Sequence, residues 1–456
     1  MYKKILIASL ALIAGLASCK KDDPTPSPNP PSGLTIDGVA STLEFYQLDT
    51  AHLSVAGVAK DAAAKAVWAV NGAKAAEGAT FDFTTAHPGK YEVTLTVDGK
   101  SAKHTYTVAP RFSEGAFLLN EGNFGNETGS LTYIHPSKKL VIDQAYYHIN
   151  GTKLGNVCQD LAFGNDQVYI ISQNGPKNGG EGLLTIARSN SLEKVKVYND
   201  EALAQSTPTH IAVIRDHIYI RTERDGILRG SSEGGFTPIT GTKKALKQRM
   251  AQIGERLFAL TSDSKVLMIQ GTQVVRELDL SPAKPSGIAV SHDGKLWVST
   301  TSPNAILKVD PTPDNFVALD THILDKSISA TGAQSWERTT SSAFFAHGDK
   351  LYFTGQSSVI YCHDFATSKT SQVIDVKTIE GVGTSANKYY NSLGVDPATG
   401  ELYYAAFEDY STYNKKNVTM VLKADGTKLL LKEKVNSFPA GFYFIPNAAS
   451  RTGANR

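Results

Sequence analysis

The chain has 456 residues, of which 41% are hydrophobic and 20% charged, and it contains 38 glycines. This composition is typical of a soluble, glycine-rich all-β protein that is long enough for a large core and more than one domain. The formal net charge is only +2, and Lys3 and Lys4 lie in a segment that we expect to be removed, so the charge gives no basis for binding nucleic acid.

Residues 1–18 have the pattern of a signal peptide. Two lysines precede an apolar run over residues 5–16, which is too short to span a bilayer comfortably. The run ends in Leu-Ala-Ser-Cys19, which resembles a bacterial lipobox, and that resemblance implies cleavage before Cys19 and acylation of its thiol. Acyl chains would then anchor the protein in a membrane without a spanning helix. The alternative is an ordinary secretory signal followed by a chance cysteine.

Residues 19–33 are predicted to be a flexible linker after the acylated cysteine. The run Lys20-Lys21-Asp22-Asp23 resembles the charged export signal of surface lipoproteins of Bacteroidota, which implies the outer face of the outer membrane. The alternative is that these charges are only the solvated start of the linker. Residues 24–33 are rich in Pro, Ser and Asn, a composition typical of an extended spacer.

Residues 34–110 are predicted to form a separate small β-sandwich. The alternating segment Val67-Trp-Ala-Val runs into Asn71-Gly72, which predicts a tight hairpin. Residues 88–99 begin with a Pro-Gly turn and continue as a strand with two-residue periodicity. That strand resembles those of PKD and immunoglobulin-like modules, and we interpret the domain as a stalk, although it could also bind something itself.

A unit that recurs six times dominates residues 111–446. Each copy has a small, apolar strand, a polar turn, and a second apolar strand with an aromatic residue near its start. A spacing of roughly 40–50 residues between units of short strands is typical of a β-propeller. The aromatic marker falls at Tyr169, Tyr219, Phe258, Trp297, Tyr352 and Tyr403.

A seventh copy is split between the two ends of this region. Residues 439–445 resemble a first strand without a second one after it, and residues 115–119 resemble a second strand without a first one before it. Pairing the two would complete one blade and close the ring, which removes the exposed edges of an open sheet. The sequence therefore predicts a seven-bladed β-propeller over residues 111–446, followed by a disordered tail over residues 447–456.

The sequence contains none of the catalytic motifs that we sought. It has no Gly-x-Ser-x-Gly elbow, His-Glu-x-x-His, phosphate loop or Cys-x-x-Cys, and its 11 histidines are scattered. Cys158 and Cys362 belong to well-separated blades, so we expect two free, largely buried thiols rather than a disulfide. These observations favour a protein that is not an enzyme and that has no metal or cofactor.

The candidate binding surface is one face of the propeller. Loops that enter the first strand and leave the second strand of every blade gather on one face, so several blades can direct side chains at one ligand. The loops here combine aromatic, amide and charged side chains, which suit a large, polar, partly flat ligand. The alternative is that these loops are polar only because they are exposed. The candidate ligand-binding residues are Asn120, Glu121, Gln173, Asn174, Arg221, Arg249, Arg338, Tyr390, Glu408 and Tyr410.

Two segments carry a resemblance to a known family. Residues 287–298, Gly-Ile-Ala-Val-Ser-His-Asp-Gly-Lys-Leu-Trp-Val, are similar to the repeat unit of YncE-like seven-bladed propellers. The segments 118–125 and 129–133 resemble the first blade of surface lipoprotein propellers that include BtuG-type cobalamin-capture proteins.

This resemblance implies a cell-surface lipoprotein that captures a small ligand, namely a corrinoid such as cobalamin. It also implies a partner, an outer-membrane TonB-dependent transporter that receives the ligand. Two alternatives stay open at this stage: an adhesion or interaction propeller that binds protein or glycan, and a propeller lyase or lactonase. Propellers with the same blade framework bind different ligands, so the fold alone does not choose among these three functions.

Overall fold

The computed structural model describes residues 33–39, 44–325, 344–355, 357–388 and 393–446. The signal peptide, Cys19 and nearly all of the linker, together with the tail over residues 447–456, lie outside the described residues. The chain divides into two compact units. One is built mainly from Ala51–Phe83 and Tyr91–Tyr106, and the other from the chain after Thr107 with the short segments Thr42–Thr50 and Thr84–Lys90.

The strands before residue 110 form a three-stranded and a five-stranded sheet. The orders are β1-β3-β6 and β2-β8-β7-β4-β5. The predicted hairpin at Asn71-Gly72 joins β4 to β5, and both residues have the positive φ angles that such a turn requires (49° and 81°). The elements are β1 (Thr35–Asp37), β2 (Phe45–Tyr46), β3 (Thr50–Ala56), α1 (Lys60–Ala63), β4 (Val67–Val70), β5 (Ala73–Glu77), β6 (Thr80–Thr84), β7 (Gly89–Val97) and β8 (Lys100–Ala109).

The larger unit contains seven four-stranded antiparallel sheets in the described residues, which we number one to seven along the chain. Sheet one contains β9 (Ala116–Asn120), β10 (Ser130–His135), β11 (Leu140–Ile142) and the final strand, β36 (Pro439–Phe444). Sheet two contains β12 (Asn156–Gly164), β13 (Gln167–Gly175), β14 (Leu184–Arg188) and β15 (Lys194–Tyr198). Sheet three contains β16 (Pro208–Ile214), β17 (His217–Thr222), β18 (Gly226–Ser231) and β19 (Gly234–Pro238).

The remaining four sheets follow the same order of strands. Sheet four contains β20 (Ala251–Ile253), β21 (Arg256–Leu260), β22 (Lys265–Gln270) and β23 (Gln273–Asp279). Sheet five contains β24 (Pro285–Val290), β25 (Leu296–Thr301), β26 (Asn304–Val309) and β27 (Ala318–Ile323). Sheet six contains β28 (Phe344–His347), β29 (Lys350–Phe353), β30 (Val359–Asp364) and β31 (Lys369–Asp375). Sheet seven contains β32 (Leu393–Val395), β33 (Leu402–Phe407), β34 (Asn417–Leu422) and β35 (Lys428–Glu433).

Helices in this unit are few and short. They serve as connections between strands or sheets and contribute a few side chains to the cores. Among the described residues they are α2 (Ala145–Asn150), α3 (Glu201–Ser206) and three short 3-10 helices, Lys177–Gly179, Val376–Thr378 and Gly383–Ala386. The all-β fold class predicted from the sequence is thus confirmed.

The split seventh copy pairs as the sequence predicts. Strand β36 lies antiparallel to β9, with Phe442 opposite Leu118 and Tyr443 opposite Phe117. The first strand of sheet one therefore comes from residues more than 300 positions later in the chain than the strand that it pairs with.

The aromatic markers explain how consecutive sheets pack. Each marker is at least 97% buried and belongs to the core cluster between its own sheet and the next one. For example, Tyr169 of sheet two packs with Val213 of sheet three. The series continues from sheet seven to sheet one, where Tyr403 packs with Phe442 and Leu118. Hydrophobic burial at these interfaces holds the sheets together, at about 1.5–3 kcal/mol for each large apolar side chain.

Candidate ligand-binding site

Several of the seven sheets have a β-bulge at the start of their first strand, and these bulges lie near one surface of the larger unit. In four sheets the first strand shifts its register with the neighbouring strand close to its start. These strands are β12, β16, β24 and β36. Such bulges redirect side chains and are frequent next to binding sites. At two of them, Val157 and Phe438 have φ angles of 56° and 53°. A β-branched valine in the left-handed region is a genuine outlier, so the surrounding structure must enforce it.

Val157 and Phe438 both line one pocket of about 510 Å³, which we call the aromatic pocket. That volume falls within the range of small-molecule binding sites. Its walls come from sheets one, two and seven and from the segment that leads into sheet four, so the pocket exists only when these sheets are assembled. The lining residues are Glu121, Gly122, Asn123, Phe124, Val157, Gln159, Gln173, Lys247, Tyr410 and Phe438.

One wall of the aromatic pocket is a pair of nearly parallel rings. The ring centres of Tyr410 and Phe438 lie 6.0 Å apart with an interplanar angle of 16°. Phe438 is supported from behind by Tyr413, whose ring centre is 4.4 Å away. Tyr410 is 36% exposed and Phe124 is 62% exposed. Exposed aromatic faces held in place by buried ones give a ligand a preformed surface on which a flat group can pack.

The polar part of the lining is centred on Gln159, which is only 1% exposed. Its Nε2 donates a hydrogen bond to Oε1 of Glu121 at 3.2 Å. Its Oε1 has no hydrogen-bond partner among the described residues. Leaving a buried acceptor unsatisfied costs about 1–3 kcal/mol, so this oxygen is well suited to accept a hydrogen bond from a bound ligand.

Lys247 adds a positive charge to the lining. Its Nζ donates to Oε1 of Gln173 at 3.3 Å and lies 3.6 Å from a carboxylate oxygen of Glu223. Burial lowers the pKa of Lys247, while the carboxylates of Glu121 and Glu223 act in the opposite direction. The pocket thus combines an acceptor, a carboxylate and an ammonium group on one side with aromatic rings on the other.

Three of the residues predicted as ligand-binding line this pocket: Glu121, Gln173 and Tyr410. Asn174 does not line it, and its Nδ2 donates to Oδ1 of Asn156 at 2.7 Å. Glu408 also lies outside the lining, where it pairs with Lys416 at 2.9 Å.

Three further predicted residues are internal structural groups and do not line the pocket. Asn120 is fully buried; its Nδ2 donates to Ser130 and Thr132, and its Oδ1 accepts from the backbone N–H of Ser437. The guanidinium of Arg221 donates to the carbonyl oxygen of Ala245 and pairs with Glu223 at 3.0 Å. Asn120 and Arg221 are thus engaged in contacts within the protein, and neither they nor Arg249 line the aromatic pocket, so their role as ligand-binding residues stays a prediction. Arg249 is held through its Nε, whereas its Nη2 has no hydrogen-bond partner among the described residues.

Arg249 belongs to a buried ion-pair network. Its Nε donates to Oδ1 of Asp160 at 3.2 Å, and its guanidinium lies 3.9 Å from the ring centre of Tyr443. Tyr443 OH donates to the same carboxylate oxygen at 2.7 Å, and the backbone N–H of Ile211 donates to the other one at 3.0 Å. Gly441 has a φ angle of 147°, a conformation that L side chains rarely adopt, and a side chain there would also meet the guanidinium of Arg249. The network connects sheets one, two and three with the segment that leads into sheet four.

The remaining predicted site residues, Arg338 and Tyr390, lie outside the described residues, as does the lipidation site Cys19.

The prediction missed several residues of the pocket. Lys247 lies two positions before the chosen Arg249, and Gln159 lies at the entry to a first strand, so loop position could have identified both. Val157 and Phe438 gave no such signal, because their left-handed backbone conformation is not encoded in a recognisable turn motif.

Within the part of the chain that the structure describes, no group of three or more His, Cys, Asp or Glu side chains is arranged to hold a metal. Cys158 and Cys362 are free thiols, the first buried and the second half-buried. Burial raises the pKa of both thiols, which disfavours the reactive thiolate. None of the helices in the described ranges has the length and apolar character to cross a membrane.

Comparisons with known proteins place residues 114–446 within a family model described as "Domain of unknown function (DUF5074)". No curated protein matches the chain. Among solved structures, a quinonprotein alcohol dehydrogenase-like protein from Bacteroides thetaiotaomicron is similar, with a TM-score of 0.57 and 14% identity over 88% of this chain and 95% of that one. This likeness shows the β-propeller fold alone.

Two other similar structures have lower scores. A protein from Lactobacillus plantarum has a TM-score of 0.49 and 13% identity, covering 73% of this chain and 99% of that one. Virginiamycin B lyase from Staphylococcus aureus has a TM-score of 0.43 and 12% identity, covering 63% of this chain and 90% of that one.

Proposed function

Since the chain belongs to the DUF5074 family and has a propeller fold, we propose that it is a binding propeller that holds a small ligand in the aromatic pocket. The seven sheets are interpreted as seven blades of a closed ring, because each consecutive pair, including the last and the first, shares a core cluster. The sheets before residue 110 are interpreted as an immunoglobulin-like stalk.

The observation that carries this proposal is the state of Gln159. It is buried, it lines the pocket, and its Oε1 has no partner among the described residues. A buried amide oxygen without a partner is explained if a bound ligand donates a hydrogen bond to it. The adjacent Glu121 carboxylate is a second acceptor, so the two groups favour a ligand that presents N–H donors.

The aromatic wall indicates what the rest of the ligand's surface is like. Tyr410 and Phe124 are exposed rings on which a flat, weakly polar surface can pack, although Nζ of Lys177 lies over one face of Phe124 at 3.4 Å from the ring centre. A ligand with a flat body and peripheral amides satisfies both halves, and a corrinoid such as cobalamin is the candidate that combines them. Binding requires no catalytic group, and we propose that the protein is not an enzyme.

The cellular role follows from the lipobox-like sequence and the resemblance to surface lipoprotein propellers. We propose that the protein is anchored through Cys19 at the outer face of the outer membrane. There it would capture its ligand and pass it to a TonB-dependent transporter.

The ligand is tested by calorimetric titration of the purified protein with cyanocobalamin. We expect saturable binding, and we expect Tyr410→Ala to weaken it about ten- to a hundredfold because one aromatic contact is lost. Gln159→Leu should have an effect of similar size, since it removes the acceptor while keeping the volume. Leu319→Ala, an exposed position on β27 outside the pocket, serves as the control.

The parent protein itself provides the decisive outcome. If it gives no binding heat at ~100 µM cyanocobalamin, the corrinoid proposal is wrong, and protein or glycan binding becomes the leading function. If it binds but both pocket variants bind equally well, the ligand is right and the pocket is wrong.

Membrane anchoring gives a separate prediction. Cys19→Ala should release the protein from the membrane fraction, because the acylated thiol and the cleavage site are both lost. Cell fractionation with immunodetection measures the effect, and Cys158→Ala is the matched control because Cys158 is a buried thiol. A Cys19→Ala protein that still sediments with the outer membrane would contradict lipid anchoring.

A further inference from the structure

A second cavity of about 310 Å³ is lined in part by residues 126–131, which follow the residues 121–124 that line the aromatic pocket, and we call it the amide groove. It shares no lining residue with the aromatic pocket. Its character is also different, since side-chain amides, hydroxyls and charged groups dominate its lining. The residues that matter here are Asn126, Asp143, Gln144, Tyr147, Asn178 and Asn436.

The wall between the two cavities is held by hydrogen bonds. Oε1 of Glu127 accepts from Tyr413 OH at 2.7 Å, and Oε2 accepts from Ser437 Oγ at 2.7 Å. Nδ2 of Asn178 donates to the carbonyl oxygen of Glu127 at 3.2 Å. Because these contacts come from sheets two, seven and one, the groove is preformed and a ligand would not have to order the loop.

Asn436 is the most informative side chain of the groove. It is 5% exposed, and its Nδ2 donates to the carbonyl oxygen of Val418 and to Thr419 Oγ1, both at 3.0 Å. These bonds fix the orientation of the amide. Its Oδ1 then has no partner among the described residues, which leaves a buried acceptor in the lining of the groove.

Neighbouring groups add further donors and acceptors. Oδ1 of Asp143 accepts from Thr132 Oγ1 and from the backbone N–H of Gln144, which holds the carboxylate in place. The side chains of Asn126 and Gln144 are exposed at the mouth. Each amide can donate and accept at once.

Tyr147 supplies an apolar face at the edge of the groove. It lies in α2, just after Gln144, whose φ of 48° starts the helix abruptly. The residue is 43% exposed. An exposed tyrosine beside several amides offers both a packing surface and hydrogen bonds to one ligand.

We propose that the amide groove binds carbohydrate. A sugar hydroxyl is both donor and acceptor, so it is matched by side-chain amides and carboxylates, and the C–H face of a sugar ring packs against an aromatic ring. This site is independent of the aromatic pocket. The protein would thereby attach to a polysaccharide while its other pocket stays available for the small ligand.

The test uses the purified protein on an array that carries trimers of glucose, galactose, N-acetylglucosamine and galacturonic acid, followed by titration of each trimer that binds. We expect at least one trimer to bind with a dissociation constant below ~1 mM. Tyr147→Ala should weaken it at least about tenfold, whereas Tyr147→Phe should retain most of the affinity because the ring is kept.

Gln144→Gly, which keeps the left-handed backbone but removes the amide, should also weaken binding. Leu319→Ala is the control, and thermal melting verifies that every variant is folded. The proposal is overturned if no trimer binds, or if a trimer binds with an affinity that Tyr147→Ala and Gln144→Gly leave unchanged. Neither outcome bears on the cyanocobalamin titration, which concerns the other cavity.

Discussion

A chain that ends at Phe438 is expected to lose the whole seven-sheet unit and not merely fray at its end. It lacks β36, the strand that pairs with β9 in sheet one. Ala440 and Tyr443 of that strand belong to the core between sheets one and two, and Phe442 belongs to the core between sheets seven and one. Both interfaces of sheet one would therefore be damaged. At about 1.5–3 kcal/mol for each large buried side chain, the loss is comparable to the total stability of a typical domain.

Circular dichroism melting and urea titration measure this effect. The matched control is a chain that ends at Pro446, which keeps all of β36 and is expected to melt like the full-length protein. Equal melting of the two truncated chains would show that β36 does not stabilise the seven-sheet unit.

Arg249→Met is the second substitution with a large expected effect. It leaves the Asp160 carboxylate buried without its cationic partner, and breaking a buried ion pair in this way costs about 3–5 kcal/mol of unfolding free energy. The change keeps the unbranched apolar part of the side chain, so the loss of packing is small. Chemical denaturation of the variant and the parent gives the difference.

A double-mutant cycle separates the ion pair from general damage. Asp160→Asn removes the charge and keeps one acceptor oxygen, which can still accept from the N–H of Ile211, while its Nδ2 can donate to the hydroxyl oxygen of Tyr443. The double variant should be less destabilised than the sum of the single ones by roughly 1–3 kcal/mol. Strict additivity would contradict a stabilising ion pair.

The cost of Arg249→Met should also depend on pH. Burial already raises the pKa of Asp160 above that of an unfolded aspartate, and removing the nearby guanidinium raises it further. Between the unfolded and folded pKa values the folded state binds more protons, so its stability increases as the pH falls. The difference in unfolding free energy between variant and parent should thus narrow as the pH is lowered.

The arrangement of strands could be predicted because its signals are local. Tyr169 and the five other markers recur at the same place in every unit, since the same inter-sheet contact must be filled each time. The split unit was recognisable because residues 115–119 and 439–445 each kept half of that pattern. Pairing them required only the physical demand that exposed strand edges be covered.

The site could be predicted only in part, because loop position does not reveal side-chain direction. Glu121 and Tyr410 follow second strands, Gln173 lies near the end of one, and all three line the aromatic pocket. Arg249 lies just before the first strand of sheet four, in a loop predicted to reach the same face, but its side chain turns inward to Asp160, a partner 89 residues away. A charge that is satisfied by a distant partner and one that is open to a ligand have the same appearance in a sequence.

The pairing of β36 with β9 also means that sheet one cannot be completed until nearly the whole chain has been synthesised. The hydrogen bond between the N–H of Ser437 and Oδ1 of Asn120 joins residues 317 positions apart. At a translation rate of about 5–20 residues per second, the closing strand is made roughly 15–60 seconds after its partner. During that interval one edge of β9 exposes unpaired backbone groups that invite association with other strands. The risk of aggregation therefore lasts until β36 has been made and has paired with β9.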